Sequence, residues 1–225
     1  MEDRRETRNK TDGEKSKVKY KAVFFDMDGP LMDTSRGIYA SGRAAMESLG
    51  YTVAADEKWE GFIGPPLGDC FRITFKIKDD DIIEKLCEAY HDFYSREGCF
   101  LSDFYPGILQ TLKALKERGY TLGIVSMKNE DILQTMCSHF GIDKYFDVEA
   151  GIDLTGTMNK AQLLKESFVK LGLKGSECVL VGDTHFDYLG ARDAGCDFIK
   201  VNWGFGYTKE DIGSISDPND ILKLV

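Results

Sequence analysis

Two carboxylates one residue apart, Asp26 and Asp28, follow directly on the apolar run Ala22-Val23-Phe24-Phe25 and precede Gly29-Pro30. In an open α/β sheet, reactive groups gather beyond the carboxyl ends of the strands. A strand ending in Asp-x-Asp-Gly therefore sets two acids at that edge. One suits a nucleophile or metal ligand, the other a proton donor. Three further segments add polar groups: Ser126-Met127-Lys128 after Leu122-Gly123-Ile124-Val125, Lys160 after Thr155-Gly156-Thr157-Met158-Asn159, and Gly182-Asp183-Thr184-His185-Phe186-Asp187 after Val179-Leu180-Val181.

This set suits phosphoryl transfer through a phospho-aspartate. A carboxylate can attack phosphorus to give an acyl phosphate, but an anion approaching a dianion needs charge neutralisation. Magnesium, held by one or two carboxylates and phosphate oxygens, supplies it. Asp26 and Asp183 are placed to share such an ion. The Ser126 hydroxyl and the Lys160 ammonium suit the remaining phosphate oxygens, with Met127 counted among the phosphate-binding residues. Asp28 suits protonation of the leaving oxygen and later deprotonation of water. Lys128 rivals Lys160; Lys160 is preferred because it opens a helix after a polar loop, and helix starts attract anions.

The elements that must position these groups follow from apolar periodicity and Gly/Pro punctuation. Strands are expected over 18–25, 120–126, 145–150, 178–182 and 198–201, and helices over 108–118, 131–140, 160–171 and 186–194. Continuous apolar strands alternating with helices predict an α/β fold, a doubly wound parallel sheet covered on both faces. Residues 34–102 break this plan with helical spacing (Ile38, Ala44, Ala45, Leu49; then Ile82, Leu86, Ala89, Tyr90, Phe93), divided by Gly64-Pro65-Pro66. They are expected to form a small inserted helical cap over a core of 20–33 and 103–225, preceded by a disordered, highly charged tail over 1–19.

The chain has 225 residues, 42% hydrophobic and 30% charged, with net charge −9. That is enough to bury a core, and the sign of the charge gives no electrostatic reason to expect nucleic acid or an anionic membrane as partner. No apolar stretch reaches the roughly 18 residues of a membrane span. The six cysteines (Cys70, Cys87, Cys99, Cys137, Cys178 and Cys196) include no Cys-x-x-Cys pair and no zinc spacing, so reduced thiols in the cytoplasm are expected. His91, His139 and His185 are not spaced as metal ligands.

The four polar segments resemble the signature motifs of the haloacid dehalogenase superfamily, in its phosphatase branch with a helical cap inserted after the first motif and a phosphoglycolate-phosphatase-like or nucleotidase-like pattern. The resemblance spans about residues 20–208. It implies Asp26 as nucleophile, Asp28 as general acid and base, and Ser126 and Lys160 as stabilisers of phosphate and nucleophile. It implies Asp183 as a Mg2+ ligand, Asp187 as an outer-shell support, and the Asp28 backbone carbonyl completing the metal site. Two positions depart from the pattern: Pro30, where Thr or Val is usual, and Met127, near where Asn or Thr is usual. Neither removes a catalytic functional group. Asp28 separates the chain from dehalogenases, which lack that second aspartate.

The resulting expectation is magnesium-dependent hydrolysis of a small soluble phosphate monoester by a monomer or homodimer. Two alternatives are a β-phosphoglucomutase-like phosphomutase, which Thr184 and Asp187 disfavour, and a catalytically silent binding protein, which the complete set of charged groups disfavours. Arg36, Arg72 and Lys76 are expected to be solvated or to reach a second anionic group. Two stretches are left open between pocket loop and plain structural turn: Gly64-Pro65-Pro66-Leu67 and Asn202-Trp203-Gly204-Phe205-Gly206-Tyr207.

Overall fold

The structure is a computed structural model that describes residues 19–59, 61–153 and 157–225. Residues 1–18 of the expected tail, and Thr155-Gly156 of the loop before Lys160, lie outside the described residues. In chain order the elements are β1 (Ala22–Phe25), β2 (Met32–Asp33), α1 (Ser35–Ser48), α2 (Leu67–Phe75), α3 (Asp80–Arg96), β3 (Asp103–Phe104), α4 (Ile108–Glu117), β4 (Thr121–Asn129), α5 (Glu130–His139), β5 (Val148–Ile152), α6 (Lys160–Leu171), β6 (Cys178–Gly182), α7 (His185–Ala194), β7 (Asp197–Lys200) and α8 (Ile221–Leu224).

Five of the strands form a parallel sheet in the order β5-β4-β1-β6-β7, with β1 at its centre. Every residue of β1 is buried because each face of the sheet is covered. Val23 and Phe25 pack into a core with Ile108, Leu112 and Leu115 of α4 and Leu133 and Met136 of α5. Ala22 and Phe24 point the other way, among Leu163, Leu164 and Phe168 of α6 and Ala191 of α7. Burying one Phe side chain contributes about 1.5–3 kcal/mol. A one-residue slip of β1 would exchange its two faces, so the register that carries Asp26 to the sheet edge is strongly fixed. Gly123 of β4 makes room for Phe24, whose ring a Cβ at that position would meet at 2.5 Å.

The helical segment leaves and re-enters the core through a short antiparallel ribbon, Met32 opposite Phe104 and Asp33 opposite Asp103. Its three helices exceed the two halves expected, because the second half is itself broken: α2 is closed by Lys76, which adopts φ 59°, and Asp79 caps a separate α3. α1 buries the small residues Gly37, Ser41, Gly42 and Ala45, with Met46 as its one large buried side chain. These small side chains let the α1 backbone come close: a Cβ at Gly37 would overlap the Gly98 carbonyl. A search for large apolar residues does not register such a stripe. Trp59, Phe62, Phe71, Phe75 and Tyr90 fill the space with edge-on and tilted rings. β4 continues to Asn129 beyond the expected end at 126, and its pairing with β5 shifts register between Val125 and Asn129. Among the described residues no helix is long and apolar enough to cross a membrane.

Candidate active site

Asp26 is the first residue past β1. Its backbone N–H donates to Val181 O at 3.1 Å, which ties it to β6, and its Oδ1 accepts from the Met27 N–H at 2.9 Å. Asp183 is the first residue past β6 and is fully buried. Asp26, Asp183 and Asp187 each offer a carboxylate oxygen within 4.8 Å of the others, all three buried. Strand ends more than 150 residues apart thus meet at one edge of the sheet.

The loop after β7 builds the seat of Asp183. Phe205 N–H donates to Asp183 Oδ2 at 2.6 Å, and Tyr207 N–H donates to the Asp183 carbonyl at 2.7 Å. Trp203 Nε1–H donates to Pro30 O at 3.1 Å and joins this loop to the turn after Asp28. Gly204 and Gly29 flank the carboxylate so closely that a Cβ at either would overlap it, and Gly29 adopts φ +102°, a conformation that favours glycine. The other oxygen, Asp183 Oδ1, is buried without a hydrogen-bond partner. A buried carboxylate oxygen left in that state is costly unless something else meets it. Hard carboxylate oxygens gathered around an orphaned one fit a hard cation such as Mg2+.

Lys160 opens α6, held there by a capping box between Asn159 and Gln162. Its stem passes Gly190 of α7, where a Cβ would lie 2.9 Å from Lys160 Cγ. The ammonium reaches Asp26 Oδ2 at 2.9 Å and also bonds Asp187 Oδ1. Asp187 Oδ2 accepts from Thr184 N–H at 3.0 Å and from the Thr184 hydroxyl at 2.6 Å. Both Asp187 oxygens are therefore occupied. The residue is part of the helix cap of α7, yet fully buried, and it anchors Lys160.

Burial pushes Asp26 and Asp183 each up to about 7, against the opposing pull of Lys160 on Asp26 and of the Phe205 N–H on Asp183. Burial also acts on Asp187 and Lys160, but pairing outweighs it: Lys160 and Thr184 lower Asp187, and Asp26 and Asp187 raise Lys160.

The remaining sequence-derived candidates lie outside this cluster. Ser126 is buried in β4, and its Oγ accepts from the Lys128 N–H at 3.3 Å. Met127 is exposed, and its side chain carries no group that would bind phosphate. Asp28 does not join the three-acid cluster; its Oδ2 lies 3.2 Å from Lys128 Nζ. Lys128 is thus the partner of Asp28, a pairing that spacing alone did not reveal. Its ammonium also donates to the hydroxyl of Tyr94 on α3 at 2.8 Å. Tyr94, four residues after Tyr90 on the apolar stripe of α3, was missed; that helical spacing was its one available signal. His185 is exposed and stacks on Tyr188. Arg36 pairs with Asp103, Arg72 with Asp69 and Asp80, and Lys76 donates to Ile73 O; these three cations are engaged on the surface of the helical segment.

The family model for haloacid dehalogenase-like hydrolases matches residues 23–201. A 5'-nucleotidase from Pseudomonas aeruginosa is 32% identical over 194 residues, covering 86% of this chain and 87% of the relative. A phosphoglycolate phosphatase from Vibrio parahaemolyticus is 29% identical over 195 residues, covering 83% of this chain and 86% of the relative. A solved haloacid dehalogenase-like family hydrolase from Streptococcus pneumoniae superposes with a TM-score of 0.82 at 27% identity, covering 92% of this chain and 99% of that one. The chain belongs to the haloacid dehalogenase-like hydrolases. Named phosphatases are among its relatives, and so is a tyrosine-protein kinase PtkA from Mycobacterium tuberculosis, 31% identical over 185 residues, covering 82% of this chain and 62% of the relative.

Proposed function

We propose that this protein hydrolyses a small phosphate monoester with Mg2+, through a phospho-aspartate formed on Asp26. The observation that carries the reading is the buried, unpartnered Asp183 Oδ1 beside Asp26, with Lys160 bridging Asp26 and Asp187. Asp26 and Asp183 would hold the cation with the backbone carbonyl of Asp28, while Asp187 holds Lys160. When bound, Mg2+ would neutralise the repulsion between the Asp26 carboxylate and the phosphate dianion.

An Asp26 oxygen attacks phosphorus, and the bond from phosphorus to the ester oxygen breaks. Asp28 gives its proton to that departing oxygen. Asp28 then takes a proton from water as the water attacks the phosphoryl group, which releases inorganic phosphate and restores Asp26. Ser126 donates its hydroxyl to a phosphate oxygen, and Lys160 neutralises charge on the nucleophile and the transferring group. Residues 34–102 act as a cap that excludes bulk water from this edge. The six cysteines are all free, which supports a reducing compartment, and we place the protein in the cytoplasm. Phosphoglycolate and nucleoside monophosphates are the substrates to test first, given the names of the relatives.

The test is hydrolysis of p-nitrophenyl phosphate with and without Mg2+. Turnover should require the metal, vanish in Asp26→Asn, and fall about 10²–10⁴-fold in Asp28→Asn on substrates with poor leaving groups. Full activity in Asp26→Asn would overturn the mechanism.

A further inference from the structure

Asp28 divides its two oxygens. Oδ2 is tethered by the Lys128 ammonium at 3.2 Å, while Oδ1 is buried with no hydrogen-bond partner. Lys128 is in turn fixed from the other side. Its ammonium donates to the Tyr94 hydroxyl at 2.8 Å and lies 4.6 Å from the centre of that ring. Tyr94 is 3% exposed and stacks on Tyr90 at 5.5 Å with the rings 7° from parallel. The Lys128 side chain itself is 9% exposed. Burial works against its charge, but Asp28 and Tyr94 outweigh burial and raise its pKa. Few lysines are buried unless something pairs with them, and this one spans two regions: β4, next to Ser126, and α3 of the helical segment.

We propose that Lys128 is a positioning residue for proton transfer: with Tyr94 it holds Asp28 Oδ2 so that Oδ1 faces the departing ester oxygen. The inference rests on Asp28 as the proton donor. It also makes the placement of that donor depend on where α3 sits, because one of the two anchors of the lysine comes from that helix. Lys160 cannot substitute. It is committed to Asp26 and Asp187, on the phosphoryl side of the site.

In phosphoryl transfer to Asp26, such a tether matters only when the leaving group needs a proton. The later attack of water, which Asp28 also assists, is the same for every substrate, so the comparison is made in kcat/KM, which reports the first step alone. The test compares β-glycerophosphate, whose alkoxide must be protonated, with p-nitrophenyl phosphate, whose phenolate leaves without help. In Lys128→Ala, kcat/KM on β-glycerophosphate should fall about 100-fold, the lower end of what a placed proton donor contributes. On p-nitrophenyl phosphate kcat/KM should fall less than about 5-fold, while any loss in kcat from the shared attack of water on the phospho-aspartate is common to both substrates. Added ethylammonium should restore part of the lost kcat/KM on β-glycerophosphate, and the Mg2+-dependent rise in Tm should persist. Tyr94→Phe, which deletes one hydroxyl and keeps the ring, should show the same bias between the two substrates at smaller size. It decides the matter if Lys128→Ala does not fold.

Equal losses of kcat/KM on both substrates, or no rescue by ethylammonium, would overturn the positioning role. Asp28→Asn is the control for the underlying reading. If Asp28→Asn shows the bias and Lys128→Ala does not, Lys128 is not the tether and Asp28 remains the donor. If Asp28→Asn shows no bias, Asp28 is not the donor and the positioning proposal falls with it.

Discussion

Two buried lysines flank the candidate site, and their surroundings differ. Lys160 meets two carboxylates, Asp26 and Asp187, at a helix start reinforced by a capping box. Lys128 meets one carboxylate and one phenol, Asp28 and Tyr94, at an irregular stretch of β4. The first environment is a rigid electrostatic framework in which every oxygen of Asp187 is occupied. The second leaves one oxygen of Asp28 idle and borrows a partner from another part of the fold. On the proposed mechanism, charge neutralisation for the phosphoryl group would be built into the core, whereas placement of the proton donor would be shared with the helical segment.

The largest expected effect comes from the rigid side. Lys160→Met strands Asp26 and Asp187 as a buried like-charged pair. Breaking a buried ion pair costs about 3–5 kcal/mol, which urea denaturation would measure, together with loss of turnover. Lys128→Met should cost much less stability, because the Asp28 side chain is 25% exposed and water can solvate it. Equal costs for the two substitutions would break the comparison.

A smaller effect concerns the seat of Asp183. Gly204→Ala places a methyl group against that carboxylate, so the Mg2+-dependent rise in Tm should shrink by more than half while the metal-free Tm changes by only a few degrees. Calorimetry at fixed pH checks this. A metal response identical to that of the original protein would show that the loop after β7 does not set the Asp183 geometry.

The gentlest test uses pH. Asp26 and Asp183 have their pKa values raised from 3.8 to about 7 by burial. Folding therefore favours their protonated forms. In metal-free protein this contribution to stability is complete below about pH 4 and is lost as pH rises through about 7. A cation binds the ionised forms, so stabilisation by Mg2+ should be larger at pH 8 than at pH 5.5. Thermal shifts at the two pH values decide it, and a larger shift at pH 5.5 would contradict the assignment.

The parallel sheet was legible because both faces of β1, β4 and β6 are covered, which leaves continuous apolar runs that punctuation delimits cleanly. α6 and β6 match their expected limits residue for residue. That Asp26, Lys160, Asp183 and Asp187 meet was legible because a sheet edge collects strand ends whatever their separation in sequence. What spacing did not reveal depends on side chains meeting across elements. The pairing of Lys128 with Asp28 and Tyr94 requires knowing that α3 packs against the end of β4. The grip of Phe205 and Tyr207 on Asp183 uses backbone N–H groups, which no residue type announces. The ribbon of β2 and β3 joins segments about 70 residues apart, too short in each strand to leave an alternating pattern.

The central claim is that an Asp26 oxygen bonds to phosphorus beside a divalent cation. A crystal structure of the protein with beryllofluoride and Mg2+ tests it directly. The account predicts beryllium bonded to an Asp26 carboxylate oxygen, with the cation contacting Asp26 and Asp183. Beryllofluoride attached elsewhere, or no cation at Asp183, would contradict it.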